Sequence, residues 1–159
     1  PPPLFAFFSA PGTTAGVAQM IAEVTDGTLY EIVPQQIYTS EDLDWNDRQS
    51  RSSVEMNNPK ARPALKKTPV DVRSYDVIFI GYPIWWDQAP RIINTFIESY
   101  DLKGKMLIPF ATSGGSGITN SVRVLRKTYS DLNWQDGKLL NGASRKVIQN
   151  WADNIMKMQ

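Results

Sequence analysis

Apolar positions along the chain fall into short unbroken runs that alternate with stretches of helical spacing. Leu4 to Phe8 is one such run, the pattern of a strand covered on both faces. From about Thr14 the pattern changes: Val17, Ala18, Ile21 and Ala22 share one helical face, with Gly27 beyond the helix end. Thr28 to Val33 reads as a second strand, stopped by Pro34. Asp76 to Ile80 is a third, ending in Gly81, and Ile92, Ile93, Phe96, Ile97 and Tyr100 then mark a helix whose first turn suits Pro90. A fourth strand spans Lys105 to Ala111, followed by a helix carrying Ile118, Val122, Leu125 and Tyr129. Gly137 to Gly142 predicts a short fifth strand. The last helix, from about Ser144, places Val147, Ile148, Trp151 and Ile155 on one face. Between the second and third strands lies a long polar passage, Gln35 to Thr68. Within it Ser40 is expected to cap a short helix through Leu43 and Trp45, the rest reading as irregular; loops of this length are usually functional or mobile.

Strand and helix thus alternate five times, which argues for an α/β domain over residues 1–159 with a parallel sheet and helices on both faces. Right-handed crossovers then place a ligand crevice at the carboxyl ends of the strands. Three loops of unusual composition fall there: Ser9 to Thr14, Tyr82 to Gln88 and Thr112 to Gly117. One residue resists the scheme. Pro109 lies inside the fourth strand and has no N–H for a ladder, so its nitrogen is expected to face a bulge or the weak fifth strand.

Composition narrows the chemistry. A hydrophobic content of 42% and a charged content of 21% describe an ordinary soluble globular protein. The net charge of +1, without a basic run, gives no reason to expect nucleic acid as a partner. No apolar stretch approaches the roughly 20 residues needed to cross a membrane. The absence of Cys excludes disulfides, thiolate catalysis and Cys-ligated clusters, and fits a cytoplasmic location. The absence of His removes the commonest general base, Ser-His-Asp hydrolysis and most zinc sites. Demanding chemistry must come from carboxylates, hydroxyls, Lys, Tyr or a bound cofactor. The chain opens Pro1-Pro2-Pro3 without a Met, which is compatible with a removed targeting segment.

The first loop is the most informative. A strand that turns directly into a helix presents unpaired backbone N–H groups, an anion site by construction. An ATP-type loop adds a Lys beside the outer phosphates; here Ser9, Thr13 and Thr14 supply hydroxyls instead. The segment Ser9, Ala10, Pro11, Gly12, Thr13, Thr14 and Ala15 therefore reads as a site for one phosphate, held by dipoles and hydrogen bonds. Gly12 permits an approach that a side chain would block. The plainer reading makes the same Ser and Thr residues turn formers and helix caps.

These residues resemble the flavodoxin family. The spacing S-x-x-G-x-T-x3-A-x2-I is met by Ser9, Gly12, Thr14, Ala18 and Ile21, and "DLDW", "PIWW" and "FATSGGSG" segments follow in order. The resemblance covers nearly the whole chain. It implies a five-stranded sheet of order 2-1-3-4-5, flavin mononucleotide (FMN) as cofactor, and electron transfer to redox partner proteins. Pro83, Ile84, Trp85 and Trp86, and Thr112, Ser113, Gly114, Gly115 and Gly117, then stand where flavodoxins hold the flavin ring. Neighbours on an extended segment point to opposite sides. One indole is thus expected to tuck beneath the helix after the third strand and the other to stack on the ring, a contact worth about 1–3 kcal/mol; the resemblance slightly favours Trp86. The glycine-rich loop lets main-chain N–H groups reach the ring's carbonyls. Asp87 is expected either to bond the flavin edge or to cap the adjoining helix.

Two features depart from the family pattern. Pro11 replaces a usual Thr, removing a hydroxyl and an N–H, each charge-assisted bond being worth about 1.5–3 kcal/mol. The near-neutral charge also departs from the strong acidity of well-studied flavodoxins. No Lys or Arg lies in the three loops, so negative charge on a reduced flavin is disfavoured. About 59 mV corresponds to about 1.4 kcal/mol for one electron, and modest electrostatics therefore lower the second reduction step. The expected function is a low-potential electron carrier. The alternative is a flavin-dependent NAD(P)H:quinone or nitro reductase on the same fold. A signalling receiver is disfavoured, since Gly81-Tyr82-Pro83 stands where an Asp is needed. Within the polar passage, Trp45, Arg51, Met56 and Arg62 are candidates to cover the cofactor or a partner site, with solvated decoration weighed equally. Oligomeric state is left open.

Overall fold

The computed structural model describes residues 2–10 and 12–158. Its six strands are all parallel: β1 (Leu4–Phe7), β2 (Thr28–Glu31), β3 (Val77–Pro83), β4 (Met106–Thr112), β5 (Asn133–Trp134) and β6 (Lys138–Leu139). The order is β2-β1-β3-β4-β5, with β6 also paired to β4, so the expected order is observed. Five helices accompany them: α1 (Thr13–Thr25), α2 (Arg51–Asn57), α3 (Arg91–Ser99), α4 (Thr119–Thr128) and α5 (Arg145–Met156).

The apolar runs form central strands because both faces are covered. Phe5, Phe79, Ile108 and Phe110 point to one side, where they meet Ala18 and Ile21 of α1 and Ile148 and Ile155 of α5. Leu4, Ile78, Ile80 and Leu107 point to the other, against Ile92, Ile93 and Phe96 of α3 and Leu125 of α4. Each fully buried side chain of this kind contributes about 1.5–3 kcal/mol. The result is a three-layer sandwich whose strand ends all open towards one edge.

Several boundaries differ from expectation. β3 runs on to Pro83, because Gly81, Tyr82 and Pro83 keep register with Phe110, Ala111 and Thr112. Gly81 is needed there: a Cβ would sit 2.2 Å from the Phe110 ring. The fifth strand is split. Asn133–Trp134 pairs with Met106–Leu107, and Lys138–Leu139 pairs with Phe110–Ala111. Gln135 N–H donates to Leu107 O (2.8 Å) and Leu140 N–H donates to Ala111 O (2.9 Å). Alternate residues of β4 thus face this edge, and Pro109, midway between 107 and 111, turns its donorless nitrogen to the gap between β5 and β6. Of the two alternatives expected, a bulge or the weak fifth strand, the nitrogen faces the interruption in the fifth strand.

The helix expected after Ser40 is absent. Residues 40–45 form turns apart from a break at 44, and the helix lies later, at α2, capped by Ser50, whose Oγ accepts the Ser53 N–H at 3.3 Å. The turns hold because Asp44 and Asp47 carboxylates accept N–H groups two residues on. Among the described residues no helix is long and apolar enough to cross a membrane, and no group of three or more His, Cys, Asp or Glu is placed to hold a metal.

Candidate functional site

The three loops meet at the carboxyl edge of the sheet. The Thr14 and Thr112 hydroxyls, both buried, lie 2.7 Å apart and tie the first loop to the third. Ile84 N–H donates to Thr112 O at 2.8 Å and ties the second to the third. A cavity of about 330 Å³ takes walls from all three: Ala10 and Thr13, Pro83 to Trp85, and Thr112 to Gly114, with Asn141. It shares Ala10, Ile84 and Trp85 with a cavity of about 390 Å³, closed by Leu43, Trp45, Ser52 and Trp86. A larger hollow of about 770 Å³, around Val70, Arg73, Tyr100 and Lys105, shares no residue with the loops and lies by the opposite strand ends.

At the first loop, α1 starts directly after Gly12, with no acidic residue in its first turn and no capping side chain on Gly12. Its leading N–H groups have no intrahelical acceptor. Ser9 Oγ accepts one of them, from Ala15 at 3.1 Å, so Ser9 acts as a cap from six residues upstream. Thr13 is exposed, whereas Thr14 is fully buried against Thr112. Two hydroxyls hold two protons and their mutual contact uses one, so this pair retains a proton to donate. Gly12 has an ordinary φ of −72°, and a Cβ there would meet nothing within 4 Å. The space beside it is open. Pro11 lies outside the described residues.

The second loop is not an extended segment. Trp85 and Gln88 exchange both backbone hydrogen bonds, at 2.9 and 3.0 Å, and Trp86 and Asp87 between them have φ of 49° and 61°. This is a type I′ turn built without glycine. Such conformations cost on the order of 1–3 kcal/mol each and persist where neighbours hold them. Asn120 Nδ2 is one neighbour, donating to Asp87 O at 2.9 Å. The two indoles do part company, through the turn rather than through strand alternation. Trp85 packs edge-on to Phe8 and Tyr38, at 5.6 and 5.4 Å. Trp86 is 44% exposed at the cavity mouth. Asp87 does not cap α3, whose N-cap position is Pro90, with no side-chain hydrogen bond there.

Behind Trp85, the buried Tyr38 hydroxyl donates to Glu55 Oε1 at 2.5 Å, and Arg51 lies 3.7 Å over the Tyr38 ring. Burial, and then Glu55, push this phenol well above its ordinary pKa. Trp45, 71% exposed, forms the far wall of the 390 Å³ cavity. The other candidates of the polar passage lie elsewhere: Met56 is buried, Arg51 pairs with Glu55, and Arg62 pairs with Glu98.

The third loop is braced from within. Ser113 Oγ accepts the N–H groups of Gly115 (3.1 Å) and Ser116 (2.7 Å). Gly115 therefore spends its donor inside the loop, while Gly114 and Gly117 are exposed. Asn141 is a site residue that sequence reasoning missed. Its Oδ1 accepts Ser113 N–H at 2.7 Å and its amide donates back to Ser113 O. In the sequence Asn141 falls within the expected fifth strand, and a side-chain bond to a residue 28 positions away leaves no local signal.

Comparison with known proteins agrees with this architecture. The family model described as flavodoxin matches residues 3–155. The crystal structure of a candidate flavoprotein from Bacteroides eggerthii is 60% identical, covers 98% of each chain and superposes with a TM-score of 0.94. Another from Bacteroides uniformis is 55% identical over 96% of this chain and 97% of its own, with a TM-score of 0.93. A flavoprotein from Lactobacillus acidophilus, solved in complex with FMN, shares the fold at 22% identity, 87% and 92% coverage and a TM-score of 0.70. No curated protein matches the chain at a significant level.

Proposed function

The chain belongs to the flavodoxin family, and from that premise we propose that residues 1–159 act as one FMN-binding domain that carries electrons at low potential between partner proteins in the cytoplasm. The observation that carries the reading is the convergence of the three loops on two adjoining cavities, one at a helix start with Thr13, Thr112, Ser113 and Asn141 in its lining and one walled by indoles. The donor set fits a phosphate monoester. Open space beside Gly12 admits it, the exposed Thr13, the Thr14–Thr112 pair and the leading N–H groups of α1 other than the one Ser9 accepts supply donors, and no acidic residue lies in the first turn of α1. The helix end contributes the equivalent of about half a positive charge. Ile84, Trp45 and Trp86 bound an apolar slot that excludes water from a planar ring.

FMN, when bound, supplies reversible one- and two-electron chemistry. The chain supplies the environment. Among the described residues no Lys or Arg lines either cavity, so added negative charge on the cofactor finds no cation and is opposed by the phosphate. Titrating the protein with FMN should quench flavin fluorescence to a saturable end point, and potentiometry should place the second reduction step below that of free FMN. Absence of saturable binding overturns the cofactor assignment, and a second step at or above the free value overturns the low-potential role. Rapid bleaching of the yellow complex by NADH or NADPH favours the reductase alternative.

A further inference from the structure

Arg91, the first residue of α3, is 5% exposed, and every partner of its guanidinium is neutral. Nη2 donates to Met56 O at 2.8 Å, and Nε donates to Glu55 O and Asn58 O, both at 3.2 Å. Nη1 donates to Gln88 Oε1 at 3.2 Å. The three carbonyls belong to the closing turn of α2 and the residue after it, where a helix carries partial negative charge; Glu55 O and Asn58 O also accept the N–H groups of Asn58 and Ala61, so Arg91 adds a second donor to each. The fourth acceptor belongs to the turn that holds Trp86 at positive φ.

Each side of this contact leads to one wall of the indole-lined cavity. α2 supplies Ser52 to that wall directly. It also fixes the segment carrying Trp45, since Ser52 N–H donates to Asp42 O at 3.0 Å and Ser53 Oγ donates to Asp47 O at 2.7 Å. On the other side, Gln88 closes the turn from which Trp86 projects. We propose that Arg91 is a positioning residue: by clamping α2 and the 85–88 turn to the start of α3, it sets the separation of Trp45 and Trp86. As a statement about cofactor binding, this rests on the reading of that cavity as the FMN ring site. A planar fork with donors at fixed angles reaches both elements at once; a Lys ammonium on a flexible stem does not reproduce that geometry.

The chain has no Cys, so Asn46→Cys and Thr119→Cys, both at exposed positions, introduce two clean spin-label sites, one next to Trp45 and one next to Asn120, which bonds Asp87 O of the 85–88 turn. Pulsed electron–electron resonance on cofactor-free protein should give a narrow distance distribution with Arg91 present and a broadened or shifted one in Arg91→Lys. In the unlabelled protein, the same substitution should weaken FMN binding at least tenfold and change the shape of the visible flavin band. Arg91→Met should act in the same direction and more strongly. Should it fail to fold, Gln88→Leu, which cuts only the arm to the turn, provides the second variant and should broaden the distances. An unchanged distribution in Arg91→Lys overturns the inference. Failure of the unsubstituted protein to bind FMN overturns the cofactor reading instead, while the label distances still decide the role of Arg91.

Discussion

At the proposed phosphate end of the crevice, residues 9–15 follow one another along the chain, Gly12 keeps an ordinary φ, and a long-range hydroxyl contact, Thr14 to Thr112, joins the first loop to the third. At the proposed ring end, Trp45 and Trp86 come from distant segments, one on a run of tight turns and the other on a two-residue turn with both φ values positive. The difference reflects what each ligand part requires. An anion is gathered by backbone donors that any strand-to-helix junction supplies, so consecutive residues suffice. A planar ring needs two walls at a set spacing, which no single segment can provide. The first end is local and relaxed, the second assembled and strained.

The largest expected effect comes from breaking the local end. Gly12→Asp adds a side chain into open space at an ordinary φ, and its carboxylate at the start of α1 favours the helix dipole. Folding should therefore survive with an unchanged or raised Tm. FMN affinity should fall about a hundredfold or more, roughly 3 kcal/mol, because charge now opposes the phosphate. Fluorescence titration with FMN checks this, and a change within a few-fold would remove the phosphate from this turn.

A smaller effect of mixed sign is expected at the strained end. Trp86→Gly relieves a positive φ and should stabilise the free protein by about 1 kcal/mol, raising Tm by about 2–4 °C. It should also weaken FMN binding by the lost stacking, about 1–3 kcal/mol, or roughly 5- to 150-fold. Thermal melts and titrations on the same variant read both signs. If stability and affinity fall together, Trp86 is a packing residue and the contrast between the two ends is lost.

Alkaline pH should have the mildest effect and should bypass the phosphate turn, since residues 9–15 contain no titratable side chain. Burial and then Glu55 raise the Tyr38 pKa behind the ring wall. Tyr129, raised first by burial and then by its bond to Glu98, is pushed up to about 12. Unfolded phenols release their protons near pH 10, so above that point the folded chain binds more protons than the unfolded one. Stability is therefore complete below about pH 10 and declines as pH rises towards 12 and beyond. Tyrosinate absorbance recorded alongside melting temperature tests the sign.

What was readable without coordinates follows the same division. Leu4 to Phe8 and "DVIFI" announced themselves because strands covered on both faces become unbroken apolar runs. α2 stayed hidden because its buried face uses Ser52, Ser53 and Met56, which leave little apolar period. The two-residue β5 is too short for any pattern, and Asn141 lay within the expected fifth strand, with nothing in the sequence to pair it with Ser113.

The amino-acid order by itself determined the layered α/β architecture and the hydroxyl-rich turn that opens α1, while the strand order came from family resemblance alone. The architecture and the turn depend on neighbours in sequence or on a periodicity that burial imposes along the chain. Only the tertiary structure decided that Trp85 turns inward while Trp86 stands at the mouth, that Trp45 faces the same cavity, and that Arg91 joins their supports. Spacing between remote segments depends on packing and on hydrogen bonds that close only when the chain is folded, and it leaves no periodic trace in the sequence.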